Sequence, residues 1–265
     1  MKKTNLRIDV LLVEKGLAES REQAKKMVMA GCVYADNIKV EKPSSVFGLE
    51  AEIEVKNFEK EFVSRGGYKL KKALIEFGIS LKAKVAADIG ASTGGFSDCM
   101  LQKGAKRVFA VDTGYGQLDW KIRSDERVKV FERFNARFLE ADTFDMKVDF
   151  IAVDVSFISL KLIFPAIVKT MKKKATAVCL IKPQFEAGRE KVGKKGVVRE
   201  KSTHAEVIQN VIGYALDNGL SSSGLSYSPI KGPNGNIEYL LYLIYGGEKK
   251  KLDVESCVEA AWNDL

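Results

Sequence analysis

The chain has 265 residues, 46% of them hydrophobic, and a formal net charge of +8. That is apolar material for one large core and a small second one, and the positive balance suits a polyanionic partner such as nucleic acid. Four scattered cysteines and one histidine show no metal-ligand spacing, no apolar stretch approaches the ~18 residues of a membrane helix, and Met1-Lys2-Lys3-Thr4-Asn5 does not open a signal peptide, so a soluble, cytoplasmic protein with reduced thiols and no metal is expected.

Residues 6 to 57 read as a small module. Leu6, Val10 and Val13 with Leu11 and Leu12 predict one helix ended by Gly16; Ser20 caps a second, with Ala24, Met27 and Val28 inward and Gly31 at its end. Strands are expected in Cys32–Val40, around an Asp36-Asn37 turn, and in Glu52–Lys56 after a Pro43-Ser-Ser loop. On the second helix Arg21, Lys25 and Lys26 lie about one turn apart, on a common side. The pattern of Arg7, Ser20-Arg21, Ala24, Gly31 and Val33-x-x-x-Asn37 resembles the RNA-binding domain named for small-subunit ribosomal protein S-four. That resemblance implies RNA binding through the second helix and the loop after it.

Phe58–Val63 reads as a connector. Ser64-Arg65-Gly66-Gly67 then opens a helix with Leu70, Ala73, Leu74 and Phe77 on one stripe, closed by Gly78. Lys69, Lys71 and Lys72 project off that stripe. Between Arg65 and Lys84 there are six basic residues and one acid, a run that phosphate contacts would explain.

The stretch around which the chain is organised is Asp88-Ile-Gly-Ala-Ser-Thr-Gly-Gly-Phe96, a turn from a buried strand into a helix. Its glycines let a ligand approach the backbone, and the helix start offers unpaired N–H groups. An acid leading the turn would repel a pyrophosphate. S-adenosylmethionine, cationic and free of phosphate, fits better. Asp112 ends the next apolar run, 17 residues beyond Gly95, where a carboxylate accepts hydrogen bonds from ribose hydroxyls.

From Val85 onward strands are predicted near 85–89, 107–111, 128–131, 148–154 and 175–181, with helices near 96–103, 116–123, 159–172 and 202–218. Two closing strands, near 223–228 and 237–245, flank Lys231-Gly-Pro-Asn-Gly235 and predict a hairpin, hence a mixed sheet with one antiparallel strand. Residues 248–265 read as a tail with a short helix. Asp154 and Lys182 each end an apolar run, where functional groups of such sheets gather. A helix cap and a surface lysine would also explain them, but not their company with Lys69 and with Glu238 at the start of the final strand. Pro183–Lys201 is long for a connection without structure and carries six basic residues against three acids; a mobile lid over RNA is expected, with Phe185 stacking on a base. Cys179 lies within an apolar strand and reads as core, and His204 as structural.

Lys69, Asp154, Lys182 and Glu238, in that order, resemble the tetrad of the ribose 2′-O-methyltransferases of the FtsJ/RrmJ class. With the amino-terminal module, Ser64-Arg-Gly-Gly, Asp154-Val-Ser-Phe-Ile-Ser159 and Lys182-Pro-Gln-Phe-Glu186, the chain resembles the TlyA family of rRNA methyltransferases, also catalogued as hemolysins, over nearly its whole length. The resemblance implies a Rossmann-like α/β methyltransferase domain at 65–247, a linker at 58–64 and an α+β RNA-binding domain at 1–57. It implies cytidine 2′-O-methylation in large-subunit and, for some members, small-subunit rRNA, with no need of a membrane. The tetrad is expected to carry catalysis. Asp88, Gly90, Ser92, Thr93, Gly94, Gly95, Phe96, Asp112, Asn135 and Asp154 are expected to hold S-adenosylmethionine. Arg7, Arg21, Lys25, Lys26, Arg65, Lys71, Lys72, Phe185 and Arg189 are expected to meet RNA.

Two other functions compete. A membrane-lytic protein would need a long amphipathic helix with a large apolar face. A non-catalytic RNA-binding protein with a vestigial cofactor fold would not need all four tetrad positions filled by the right residue types.

Overall fold

A computed structural model describes residues 5–56 and 61–265, so part of the expected 58–64 linker lies outside the described residues. The chain divides into two compact units at Glu61/Phe62. In the first, β1 (Asn5–Arg7) leads into α1 (Ile8–Glu14) and α2 (Arg21–Met29), followed by β2 (Val33–Ala35), β3 (Ile38–Lys39), β4 (Val46–Gly48) and β5 (Ile53–Val55). Leu6, expected in the first helix, instead lies in β1, which pairs antiparallel with β4 through Leu6 and Phe47. The partner is some forty residues away, and helical periodicity does not register it. Ser20 Oγ accepts from Gln23 N at 3.2 Å and so starts α2. Ile8, Leu11, Leu12, Ala24, Met27, Val28 and Val33 form the core of this unit. Asp36 and Asn37, both at positive φ, make the tight turn of the β2–β3 hairpin.

The second unit begins at Phe62, which is 2% exposed and belongs to its core, so the expected linker ends earlier than residue 64. Helix α3 (Gly66–Glu76) precedes β6 (Val85–Ile89), α4 (Gly95–Gln102), β7 (Arg107–Val111), α5 (Trp120–Arg123), β8 (Val128–Phe131) and β9 (Val148–Val153). Then come α6 (Phe164–Thr170), β10 (Met171–Ile181), α7 (Pro183–Glu186), α8 (Lys201–Asp217), β11 (Leu220–Tyr227), β12 (Tyr239–Tyr245) and α9 (Val254–Asp264). The helix expected over 116–123 is only α5, capped by Asp119, because two glycines hold the preceding residues in a loop. That expected over 159–172 splits into a 3₁₀ turn, Leu160–Leu162, and α6, where Pro165 in the first turn fixes a new start.

The seven strands lie in the order β11-β12-β10-β9-β6-β7-β8. All run parallel except β12, which is antiparallel to both β10 and β11. Alternation along β6 sends Val85, Ala87 and Ile89 to one face, packed with α6, α8 and α9, and Ala86 to the other, packed with α3 and α4. Leu70 and Met100 are fully buried on that second face; each contributes ~2 kcal/mol. Helix α9, set apart in the sequence as a tail, buries Val254, Val258 and Ala261 in the core of the first face and is integral to this unit. The last β10–β12 pair is Ile181 with Tyr239, so the ladder runs out where Lys182 and Glu238 follow on facing strands.

Candidate active site

Strand β6 sits where the chain reverses its direction of progress across the sheet, with β7 on one side and β9 on the other. Ligands of doubly wound sheets bind in the crevice opened there, at the carboxyl ends of the strands. Asp88 lies in β6 and Gly90 follows it, Asp112 follows β7, Asn135 follows β8, Asp154 follows β9 and Lys182 follows β10. Gly90 has φ +89, and a Cβ there would meet Asp154 O at 2.4 Å. Only glycine permits this turn to pass so close to β9. Gly94 has φ +94 and a would-be Cβ 2.8 Å from Leu118.

Asp88 is fully buried beneath the turn. Its Oδ2 accepts from Ser97 N at 2.8 Å and Ser97 Oγ at 2.7 Å, fixing the start of α4, while Oδ1 has no partner. Burial pushes its carboxyl up to about 7; the Ser97 hydrogen bonds oppose this, and the charges of Asp154 and Asp112 add to it. Asp112 accepts from Ser92 N at 2.7 Å and Gly114 N at 2.6 Å, leaving a second lone pair on each oxygen for a ligand hydroxyl. Asp112, Ser92, Gly114, Leu118 and Glu132 line a cavity beside the turn. Ser92 and Thr93 are exposed at its lip, and Gly95 N-terminally opens α4. Asn135 caps the 3₁₀ turn Ala136–Phe138 through Arg137 N, 3.1 Å away. The Phe96 side chain departs from expectation: it is 4% exposed and packs in the α3/α4 core, so its ring does not face a ligand. An orphaned buried carboxylate oxygen and flanking acids fit a cationic, phosphate-free cofactor.

Next to this crevice the structure brings together Lys69, Asp154, Lys182 and Glu238. Lys69 Nζ donates to Glu238 Oε2 at 2.7 Å and lies 3.8 Å from Asp154 Oδ2; Lys182 Nζ lies 2.6 Å from Asp154 Oδ1 and donates to Ser156 Oγ at 2.9 Å. The result is an alternating chain, Glu238–Lys69–Asp154–Lys182. Glu238, Lys69 and Lys182 are nearly dry, at 0%, 6% and 8% exposure, while the Asp154 side chain is 20% exposed. Removing one would strand its neighbours' charges at a cost of several kcal/mol, about 3–5 for a fully buried pair. Glu238 Oε1 has no partner, and a Cβ on Gly232 would come within 2.2 Å of it, so the 231–236 loop closes tightly over this carboxylate.

The loops after β9 and β10 are joined. Ser159 Oγ and Leu160 N donate to Glu186 at 2.6 and 2.8 Å, and burial raises the Glu186 pKa. Phe157, at φ +62 and 91% exposed, faces Phe185 with ring centroids 4.9 Å apart, and Lys182 Nζ lies 5.7 Å from the Phe185 ring. The sequence pointed to Phe185 but missed Phe157. Its signal was a large apolar residue following Asp154-Val-Ser, and its exposure comes only from the strained turn. The 183–201 segment, expected as a mobile lid, has structure of its own: α7, a 3₁₀ turn at Arg189–Lys191, and ties from Asn234 Nδ2 to Lys195 O and Asn236 Nδ2 to Gly196 O. Arg189 is exposed on it.

The other cations expected at RNA divide. Arg7 and Arg21 both grip Asp9, at 3.0 and 2.9 Å, and remain about half exposed. Burial pushes the Asp9 carboxyl up, but the two guanidinium groups outweigh this and hold it below its ordinary value. Lys25 and Lys26 are exposed on the same unit, and Lys26 lies 3.5 Å from Glu22. Arg65 is exposed and Lys71 half-buried on α3. Lys72 does not reach outward as expected: Nζ sits 3.6 Å over the Tyr227 ring and 3.5 Å from Glu76, held against β11. Cys179 is fully buried and its thiol pushed far up by burial, which removes it as a nucleophile. His204 bonds Tyr239 Oη at 2.8 Å and Val198 O at 3.1 Å; a carbonyl only accepts, so Nε2 carries the proton.

A Rossmann-like sheet whose switch point carries an acid-led glycine turn, with a buried lysine–carboxylate chain one strand over, is the architecture of a methyltransferase. Comparison with known proteins agrees: the chain belongs to the FtsJ-like methyltransferase family, whose family model matches residues 62–245, and carries an S4 domain matched at residues 6–53. It is 51% identical over 243 residues to YqxC of Bacillus subtilis, provisionally named an rRNA methyltransferase, covering 91% of this chain and 86% of that one. It is 43% identical over 238 residues to the 16S/23S rRNA (cytidine-2′-O)-methyltransferase TlyA of Mycobacterium tuberculosis, covering 89% of each. A solved structure from Streptococcus thermophilus, titled as a provisional hemolysin, superposes with a TM-score of 0.75 at 44% identity, covering 99% of this chain and 97% of that one.

Proposed function

We propose that the protein transfers a methyl group from S-adenosylmethionine to the ribose 2′-hydroxyl of a cytidine in ribosomal RNA. The observation that carries this reading is the buried Glu238–Lys69–Asp154–Lys182 chain beside an acid-led glycine turn. When bound, the cofactor supplies an electrophilic methyl on a cationic sulfur. Asp88 Oδ1 and Asp112 would hold its cationic and hydroxyl groups, with Gly90, Ser92, Thr93, Gly94, Gly95 and Asn135 shaping the crevice. A 2′-hydroxyl is a weak acid, so its oxygen needs orientation and a proton acceptor. Lys182, with two of its positions directed to Asp154 and Ser156, has a third for the ribose oxygen, and in its neutral form takes the hydroxyl proton as the new C–O bond forms. Asp154 positions Lys182, Lys69 balances the two carboxylates, and Glu238 Oε1 accepts from the ribose. Phe157 and Phe185, packed ring to ring, would offer an exposed aromatic surface for an extruded base to stack on.

In this reading the amino-terminal unit docks rRNA through Arg7, Arg21, Lys25 and Lys26, and Arg65, Lys71 and Arg189 meet phosphates on the catalytic unit. The partner is rRNA or a ribosomal subunit. Among the described residues no helix is long and apolar enough to cross a membrane, and the tetrad favours methyl transfer over the membrane-lytic function. The test is transfer of labelled methyl to unmethylated ribosomal subunits, mapped by nuclease digestion and mass spectrometry, for wild type and Lys182→Ala. A 2′-O-methylcytidine made only by wild type is expected. Near-normal turnover by Lys182→Ala, with cofactor affinity intact in both, would overturn the assignment of Lys182.

A further inference from the structure

The loop after β9 carries Asp154, Ser156 and Phe157 with little backbone support. Among the described residues, 155–158 donate no hydrogen bond to another backbone group, and Phe157 stands at positive φ with its ring in solvent. Val155 and Ile158 lean on the core, which holds the loop down without fixing its direction. Helix α7, which follows Lys182, is a single turn with no side-chain cap, and the 3₁₀ turn Leu160–Leu162 is shorter still. Neither is stable alone. Glu186 ties them together: Ser159 Oγ donates to its Oε2 at 2.6 Å and Leu160 N to its Oε1 at 2.8 Å. Leu160 is 1% exposed, so its N–H has no water to turn to. Among the described residues no lysine or arginine pairs with Glu186, which therefore serves as two acceptors and not as a charge.

The same loop meets the Lys182 amine. Ser156 Oγ accepts from Lys182 Nζ at 2.9 Å, and Asp154 Oδ1 lies 2.6 Å from that nitrogen. One contact lets a tetrahedral nitrogen swing about it; two fix where its remaining positions point. Asp154 is secured from β6, since its N–H donates to Ile89 O at 2.9 Å and its carbonyl abuts Gly90. Ser156 is exposed and makes no other hydrogen bond among the described residues, so its place is set by the two ends of the 154–159 span. Glu186 holds the second end. A closed ring results, from Lys182 through α7 to Glu186, across to Ser159, and back along the loop through Ser156 to Lys182 Nζ. Resting on the methyl-transfer reading above, we infer that Glu186 is a positioning residue for the reaction: by holding Ser159 and Leu160 it keeps Ser156 Oγ on Lys182 Nζ and so aims the amine at the ribose oxygen.

The test measures kcat and KM for methyl transfer to unmethylated ribosomal subunits by the full-length protein, with cofactor affinity from calorimetry. Glu186→Ala should lower kcat roughly ten- to a hundredfold, the cost of a misaimed reacting group, with S-adenosylmethionine affinity within about twofold of wild type. Glu186→Gln keeps an acceptor for Leu160 N and offers Ser159 Oγ a donor in place of an acceptor, so its kcat should return to within about threefold of wild type. Ser156→Ala should lower kcat about as much as Glu186→Ala, and the double variant should fall no more than about threefold below the slower single one, because both act on the same amine. Losses that multiply in the double variant would overturn the inference. So would wild-type kcat in Glu186→Ala, a Glu186→Gln enzyme as slow as Glu186→Ala, or a loss confined to KM for the subunit, which would make the loop a docking element. If Glu186→Ala loses its cofactor affinity with its fold, Ser159→Ala, which removes one of the two bonds, takes its place: a kcat loss of about threefold or more is expected, and an unchanged kcat would overturn the inference. Wild type that forms no 2′-O-methyl nucleotide would instead remove the methyl-transfer reading, and this inference with it.

Discussion

Replacing Asp88 by Asn isolates the charge beneath the glycine turn. The side chain keeps its shape and can still accept from Ser97 N and Oγ, but it no longer titrates. In the folded protein the Asp88 carboxyl is raised from 3.8 to about 7. At about 1.36 kcal/mol per pH unit this separation corresponds to on the order of 4 kcal/mol. The folded state holds the proton more tightly than the unfolded one, so stability is fully present below pH 3.8 and is lost as pH rises through about 7. Between pH 5.5 and 7 alone the ligand-free protein should lose about 2 kcal/mol that Asp88→Asn does not lose. Urea unfolding followed by tryptophan fluorescence reports on the right unit, since Trp120 and Trp262 are the only tryptophans and both lie beyond Phe62. The same substitution should weaken S-adenosylmethionine binding, because a cationic amino group loses its carboxylate. Wild-type affinity should rise from pH 5.5 to 7, as the ligand's charge pulls the proton off, and calorimetry in buffers of different ionisation enthalpy should detect that release. Parallel stability curves for the two proteins would refute the argument, as would a wild-type affinity independent of pH.

Phe157→Ala should lower kcat/KM on ribosomal subunits roughly ten- to a hundredfold through lost stacking, with unfolding unchanged because the ring is 91% exposed. Removing residues 188–197 should impair methylation of rRNA while calorimetry shows cofactor affinity preserved; an unchanged rate would exclude any RNA contact by that segment. Burial lowers the His204 pKa from 6.5, so the neutral ring favours the folded state above pH 6.5, and that contribution is lost as pH falls through the folded value. His204→Gln should flatten this acid-side loss in urea titrations, opposite in sign to the effect of Asp88→Asn.

The glycine turn was legible because local chemistry sufficed to show it: an apolar run, an acid, three glycines and the start of a helix. The reversed strand was legible from the tight 231–235 link, but the order of the strands across the sheet was not. What escaped depended on distant partners. Leu6 reads as the first residue of a helical stripe until Phe47 pairs with it. The stripe Val254, Val258, Ala261 was visible, but not that α8 and β11 lie beside it. Lys69 and Lys72, one turn apart on α3, look alike in sequence, yet one pairs with Glu238 and the other rests on Tyr227. Charge marks a basic helix, while the angle at which it packs decides which cation enters the site.

The pairing of Ile181 with Tyr239 places Lys182 and Glu238 directly across the end of one ladder, and the pairing of Ile89 with Val153 does the same for Gly90 and Asp154. Catalytic spacing is thus measured in strand register and not in the number of intervening residues. Connections between strands can lengthen or shorten over generations without moving the reacting groups. A single residue inserted within β12, by contrast, would swing Glu238 to the opposite face of the sheet while leaving composition, charge and every motif intact. Natural variation in this architecture should therefore gather in the connections and spare the lengths of β6, β9, β10 and β12.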